Sequence, residues 1–404
     1  MTSTRSLGAV LIAVTFMLIA GCGRHASEAA SEAPLHIPHG AAVPISMHHG
    51  INIFGAFEHT KTVSGDGGQI SDFVGTGVEP PPYSPTELKA MGFDFVRFPV
   101  NPAPLLENPP AVRDRLIAEA VAGVKPYLDA GMTVVFDLHF WKPDNATWNP
   151  DTVLAGSGTE AFNAYRELVT AVAKQLAAEP AGKVVLEPFN EPPHTMCKNP
   201  AWYGLQNRLI ASVRDASPTL PVVVTGCLGH LDEMLLMNSK NTDFSDPNLI
   251  VNFHFYDPFL FTHQGYPGRP YIREVPYPSR LGSEKATTDA ALAALDAMHK
   301  SPIEAELAKH SAIHDIHLYF VPGTDRQVIA ARMGQAVNWA RANNVPPTHL
   351  MIGEFSAINW LETDTEARKT ARLAWDSDVR SVADSLGIGW AWWGLPKKGG
   401  PIYN

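Results

Sequence analysis

The sequence predicts an α/β fold: a (β/α)8 TIM barrel with a long insertion after the sixth strand. Three observations predict it. Eight apolar, β-rich runs of strand length recur along the chain and alternate with helix-like segments, the pattern of a parallel barrel. The runs are nearly continuous in apolar residues rather than alternating, which signals burial on both faces. The chain has 404 residues, 45% of them hydrophobic, enough for one large core. A doubly wound open sheet is the competing class, but it needs fewer strands and usually a Gly-rich nucleotide turn, and no G-x-G-x-x-G follows the first run.

The predicted strands are residues 50–55 (GINIFG), 93–100 (FDFVRFPV runs to Val100), 133–139 (TVVFDLH), 183–189 (KVVLEPF), 221–226 (PVVVTG), 249–255 (LIVNFHF), 349–355 (HLMIGEF) and 387–393 (GIGWAWW). Ser84-Pro85-Thr86-Glu87 reads as a capping box with Pro at the first helical position. Residues 111–130 have helical periodicity and close on Gly131, a C-terminal signal. Residues 159–178 and 202–216 follow the same pattern, and residues 231–237 offer a short helix. Residues 325–343 and 363–386 are the helices before strands seven and eight. One connection is abnormal: residues 257–323, approximately, are far longer than ordinary barrel loops. The first part is aromatic and Pro-rich, and the second, residues 287–310, is Ala-rich and helical. It is either a lid or wall of a cleft, or structural padding.

The N-terminus predicts export. Residues 1–22 read as a lipoprotein-type signal peptide: one Arg, an apolar run too short for a confident membrane span, then Ile19-Ala20-Gly21-Cys22. This resembles a bacterial lipobox, with Cys22 as the lipidated residue; an ordinary secretory signal is the alternative. The expected location is the outer membrane or cell surface through a lipid anchor. Residues 23–45, rich in Ala, Ser, Glu, Pro and His, read as a flexible tether, and residues 46–404 as the catalytic barrel. Cys197 and Cys227 follow neighbouring strands at one end of the fold, so they are either a disulfide of an exported protein or two free thiols. A net charge of −10 with no Lys/Arg-rich run argues against a nucleic-acid partner. A monomer is expected.

Side chains at the C-terminal ends of barrel strands converge on one cleft. Here those ends are polar or aromatic: Arg97, His139, Asn190 with Glu191, His254 with Tyr256, Glu354 and Trp393. Burying so many polar groups without partners would be costly. In this order F-V-R-F-P-V, D-L-H, F-N-E-P, H-F-Y, G-E-F and W-A-W-W resemble glycoside hydrolase family 5, the cellulase family of the clan of retaining barrel glycosidases. The resemblance runs from about Gly50 to Trp393. It implies Glu191 as acid/base, Glu354 as nucleophile and Asn190 as the ligand of the sugar 2-hydroxyl. Arg97 and Tyr256 match supports of the nucleophile, His139 and His254 match active-site histidines, and Trp393 matches a platform under the reacting sugar.

The implied chemistry is retaining hydrolysis of a β-linked polysaccharide or oligosaccharide, with no cofactor. An endo-β-1,4-glucanase is the first expectation; mannanase, exo-glucanase and β-glucosidase-like activities share the same catalytic set. A non-catalytic polysaccharide-binding lipoprotein and a metal-dependent barrel hydrolase are the other classes. Trp141, Trp148, Trp202 and Trp360 are candidates for further sugar subsites, against the alternative of core or loop packing. Glu187 is expected to make a buried structural contact and Asp137 to point into the barrel; Glu58 and His59 could line the cleft's edge. His48-His49 lacks a complete metal-ligand set and is read as structural or surface.

Overall fold

The computed structural model describes residues 37–54, 57–65, 68–73, 83–141, 147–198, 201–358, 360–361 and 365–394. The proposed signal peptide with Cys22, and tether residues 23–36, lie outside the described residues. β1 (His49–Asn52) is followed by an antiparallel pair, β2 (Thr60–Gly65) and β3 (Gly68–Phe73), which stands outside the barrel. Then come β4 (Phe95–Val100), β5 (Thr133–Leu138), β6 (Val184–Glu187), β7 (Val222–His230), β8 (Leu249–His254), β9 (Leu350–Phe355) and β10 (Gly389–Trp392). β1 and β4 to β10 pair in parallel and close into an eight-stranded barrel. Each of the eight expected strands overlaps one of them, with β1 beginning one residue earlier than expected and β7 running on to His230. The β2–β3 pair was not expected, because T-K-T-V-S-G and G-Q-I-S-D-F are too poor in apolar residues to read as core strands.

The helices form for local reasons. Ser84 and Glu87 make the reciprocal capping box; Pro110–Asp129, Glu160–Leu176 and Ala201–Ala216 bury one face each on the barrel. In the connection after β8, a short helix (Phe259–Thr262) precedes two long ones, Glu284–Asp296 and Pro302–Phe320. The stretch expected to be helical at 287–310 therefore falls in two helices. Ser301 sits before a proline, where helical backbone is disfavoured, and starts a second helix through a capping box with Glu304.

Residues 37–45, expected to be part of a flexible tether, are instead held against the protein. Ile37 is buried, the Gly40 N–H donates to the Pro218 carbonyl at 2.8 Å, and buried Asn248 accepts from the Val43 N–H at 2.9 Å and donates to the Ala41 carbonyl at 3.0 Å. Composition hides this, because the partners come from residues some two hundred positions away.

The barrel interior is layered with the period of two that strands impose. Phe95, Val135, Val185, Val223, Ile250, Met351 and Ala391 form one apolar layer with Met47. Two residues further along, on the same side of each strand, stand Arg97, Asp137, Glu187, Thr225 and Asn252, all buried, with Asn52 on β1. The barrel thus changes from apolar to polar in one step, and the polar layer is the floor of the candidate site.

Candidate active site

Arg97 organises that floor. It is fully buried and uses all five of its N–H donors. Nε and Nη2 donate to the two oxygens of Glu187 at 2.7 and 3.1 Å; Nη1 donates to Asn52 at 3.1 Å and to Glu354 Oε1 at 2.7 Å; Nη2 donates to Asn190 Oδ1 at 2.7 Å. Asp137 Oδ2 lies 2.9 Å from Nη2. Burial opposes the guanidinium charge, but Asp137, Glu187 and Glu354 outweigh it and hold Arg97 well above its ordinary pKa. Burial pushes Asp137 up to about 7 despite Arg97, and pushes Glu187 up as well.

Glu354 ends β9 with both oxygens engaged: Arg97 holds Oε1, and the Tyr256 hydroxyl donates to Oε2 at 2.9 Å. One residue earlier, Gly353 is required by packing. A Cβ there would meet the Asn252 side chain at 2.5 Å; instead the Gly353 N–H donates to Asn252 at 2.8 Å and its carbonyl accepts from Asn52 at 3.0 Å.

Glu191 leaves β6 through a turn in which its own φ is +41°, a conformation that costs an L-residue free energy and is held by its surroundings. Its side chain is 37% exposed in the mouth of the barrel, and His254 Nδ1 donates to Oε1 at 2.8 Å. Desolvation by the cleft walls pushes the Glu191 carboxyl upward, against the pull of His139, His230 and Arg97. His254 itself is lowered to about 4 by burial; it is neutral near pH 7, its Nε2 facing Asn252 Nδ2 at 3.5 Å. His139 is likewise lowered by burial. It donates from Nδ1 to Asp137 at 3.0 Å and accepts from Asn190 Nδ2 at 3.1 Å, so Asn190 is fixed at both ends of its amide.

Glu191, His254 and Glu354 each offer a ligand atom within 4.8 Å of the others, the grouping among the described residues that could bridge a cation. Those atoms already have protein partners, His254 and Tyr256 donating to the carboxylates, and the Arg97 guanidinium stands beside them. The arrangement is that of two carboxyls with an oxygen of each within 4.8 Å of the other, one open to the mouth and one clamped from below.

The aromatic candidates separate. The Trp393 ring stacks near His139 at 5.8 Å and Trp141 at 6.5 Å, and Phe54 packs edge-on to it at 4.5 Å. Trp141 belongs to the same wall, with His59 edge-on at 5.5 Å. Trp148 packs half-buried against the main core. Trp202 is 1% exposed, its indole N–H donating to the Thr225 carbonyl at 2.8 Å; of its two readings, sugar subsite and core packing, the second holds, since it lies in the core behind β7. Trp360 is 43% exposed beside Tyr266. Glu58 is buried, and His48 and His49 pair with Asp94 and Asp384 at the start of β1, at the far end of the barrel. Cys197 and Cys227 are joined by a disulfide with Cα atoms 5.9 Å apart. Asn52, Asn252 and His230 were missed. The signal for the two asparagines was present: each is a polar residue inside an otherwise apolar strand.

The sequence model of the family Cellulase (glycosyl hydrolase family 5) matches residues 76–399. Among curated proteins, Endoglucanase 3 of Fibrobacter succinogenes is 29% identical over 237 residues, 58% of this chain and 32% of that protein. Endoglucanase C of Acetivibrio thermocellus is 24% identical over 209 residues, 50% of this chain and 51% of that protein. The chain thus spans about half or less of the length of these relatives. Among solved structures, endoglucanase Cel5A of Thermotoga maritima aligns with TM-score 0.57 at 21% identity, covering 86% of this chain and 89% of that one. A broad-specificity endoglucanase from Clostridium longisporum aligns with TM-score 0.57 at 14% identity, covering 89% and 88%; these likenesses bear on the fold. With the barrel, the paired carboxyls and a family match over most of its length, the chain belongs to glycosyl hydrolase family 5, the Cellulase family.

Proposed function

We propose that this protein is a retaining endo-β-1,4-glucanase, with Glu354 as nucleophile and Glu191 as acid/base. The observation that carries the reading is the carboxyl pair: one oxygen of each lies within 4.8 Å of the other. Retaining glycosidases need about 5–5.5 Å between carboxyls, whereas inverting ones need room for a water. Glu354, aimed by Arg97 and Tyr256, attacks the anomeric carbon. Glu191, raised by desolvation, gives its proton to the departing oxygen and then takes one from the water that cleaves the ester. Forming the ester removes the Glu354 charge, which eases deprotonation of Glu191 for that second step. Asn190, locked by Arg97 and His139, presents its remaining amide hydrogen to the sugar 2-hydroxyl, and Trp393 with Trp141 supplies the apolar wall.

The test is hydrolysis of an aryl β-cellobioside. Glu354→Ala should lose at least a thousandfold in kcat and form the α-glycosyl azide when azide is added. Glu191→Ala should lose most on poor leaving groups and little on a dinitrophenyl glycoside. Full activity in Glu354→Ala would overturn the assignment. EDTA should leave the rate unchanged; loss that Zn2+ or Ca2+ restores would favour a metal hydrolase. A panel of β-glucans and β-mannans then identifies the glycan. Lipidation at Cys22, and through it a place at the outer membrane or cell surface, belongs to the same proposal: Cys22→Ser should abolish incorporation of labelled palmitate.

A further inference from the structure

The start of the long connection after β8 carries aromatic side chains that the fold itself does not use. Phe259, Tyr266 and Trp360 remain 42%, 39% and 43% exposed, yet they adjoin one another. Phe259 stacks on His263 at 3.8 Å, Tyr266 packs edge-on to Phe259 at 6.1 Å, and Trp360 packs edge-on to Tyr266 at 5.6 Å. The line continues inward, because His263 meets the Tyr256 ring at 5.1 Å and Tyr256 donates to Glu354. It therefore leads from the nucleophile's own support out to the rim, on the β8–β9 side of the mouth, apart from the Trp141–Trp393 wall.

The segment that carries these rings is fixed before any ligand arrives. Thr262 donates to the Tyr256 carbonyl at 2.6 Å, and the Ile358 N–H donates to the Thr262 carbonyl at 2.9 Å, tying it to the loop after β9. Buried Gln264 clasps Val275 by both backbone groups, at 2.8 and 3.0 Å. Gly265 has φ +78°, and a Cβ there would strike Leu361 at 2.5 Å, so the close approach to the Trp360 segment depends on glycine. Buried hydrogen bonds spent on holding three large apolar rings in water are hard to explain as packing, and contiguous exposed apolar surface marks a binding site. A pre-organised surface of this kind loses little freedom on binding.

We propose that Phe259, Tyr266 and Trp360 form an extended subsite for the apolar faces of further sugar units of a β-glucan chain, contributed by the insertion and outside the catalytic set. The proposal rests on the glucanase reading, which supplies the polysaccharide and the direction of the chain. It makes the insertion a chain-length selector: polymers reach the subsite, and disaccharide substrates do not.

The test compares Tyr266→Ala, Trp360→Ala and their double variant with the wild type. The readout is the ratio of kcat/KM on cellohexaose to kcat/KM on an aryl β-cellobioside, with direct calorimetric binding of cellohexaose alongside. Each ring removed should lower the ratio and the affinity about tenfold, and Tyr266→Phe should restore both. An unchanged ratio with unchanged affinity overturns the proposal, and so does an equal loss on both substrates, the mark of a structural role. A fall in sedimentation mass in the variants, with the ratio kept, also overturns it, since the patch would then join two copies. If the wild type cleaves neither substrate, the glucanase reading fails by itself, and the calorimetric affinities still decide the subsite.

Discussion

Replacing Arg97 by lysine keeps the charge and removes the geometry. Arg97 makes five hydrogen bonds, to Glu187 twice, Asn52, Glu354 and Asn190. A lysine ammonium has three donors on one atom, so at least two of those acceptors lose their partner inside a fully buried layer. Hydrogen bonds to charged groups contribute about 1.5–3 kcal/mol each, which puts the loss at about 3–6 kcal/mol. Arg97→Met should cost more, because Glu187, Asp137 and Glu354 would face one another without a cation. Urea denaturation followed by circular dichroism gives the stability. The rate on an aryl β-cellobioside gives the second consequence: with Glu354 no longer aimed, a displacement of about 1 Å should cost about a hundredfold. A lysine variant within about 1 kcal/mol of the wild type and retaining its rate would refute the argument that the five-donor fork holds the floor together.

The two tryptophans nearest the question of sugar binding should part ways. Trp202→Ala should lose about 3–5 kcal/mol of stability from its buried site, with denaturation as the measure, whereas Trp141→Ala should fold normally and lower kcat/KM on oligosaccharides. Burial raises Asp376 to about 7 from 3.8. Between those values the folded state keeps a proton that the unfolded state has released, so stability present below about pH 4 is lost as pH rises through about 7. Asp376→Asn, which can still accept from the Ala357 N–H, should flatten that slope in a pH series of urea midpoints; Asp137 leaves part of it in place. The Cys197–Cys227 bond spans a sequence separation of 30, and opening it with a reductant should cost about 3.6 kcal/mol by the loop-entropy argument; an unchanged urea midpoint would refute it.

The barrel was legible because its physics is local. Each strand is a short apolar run bounded by turn residues, and each long helix carries its own cap, as Ser84 and Ser301 do. The β2–β3 pair escaped because its residues carry little apolar signal, and the ordered arm at residues 37–45 escaped because Asn248 and Pro218 supply its partners from far along the chain. Trp141 and Trp202 look alike in sequence; one stands in the mouth and the other behind β7, a difference of register and facing that no single residue records.

The sequence by itself determined the strand order, the family motifs and which strand ends are polar, since these follow from hydrophobic runs and residue identity. The tertiary structure alone decided how the charges are shared. Glu187, expected to be a structural contact, is the bidentate partner of Arg97; burial lowers His254 to about 4 and pushes His139 in the same direction; and two carboxyls 163 positions apart bring an oxygen of each within 4.8 Å of the other. Desolvation and pairing depend on every element that surrounds a group, and those surroundings exist only once the barrel has closed.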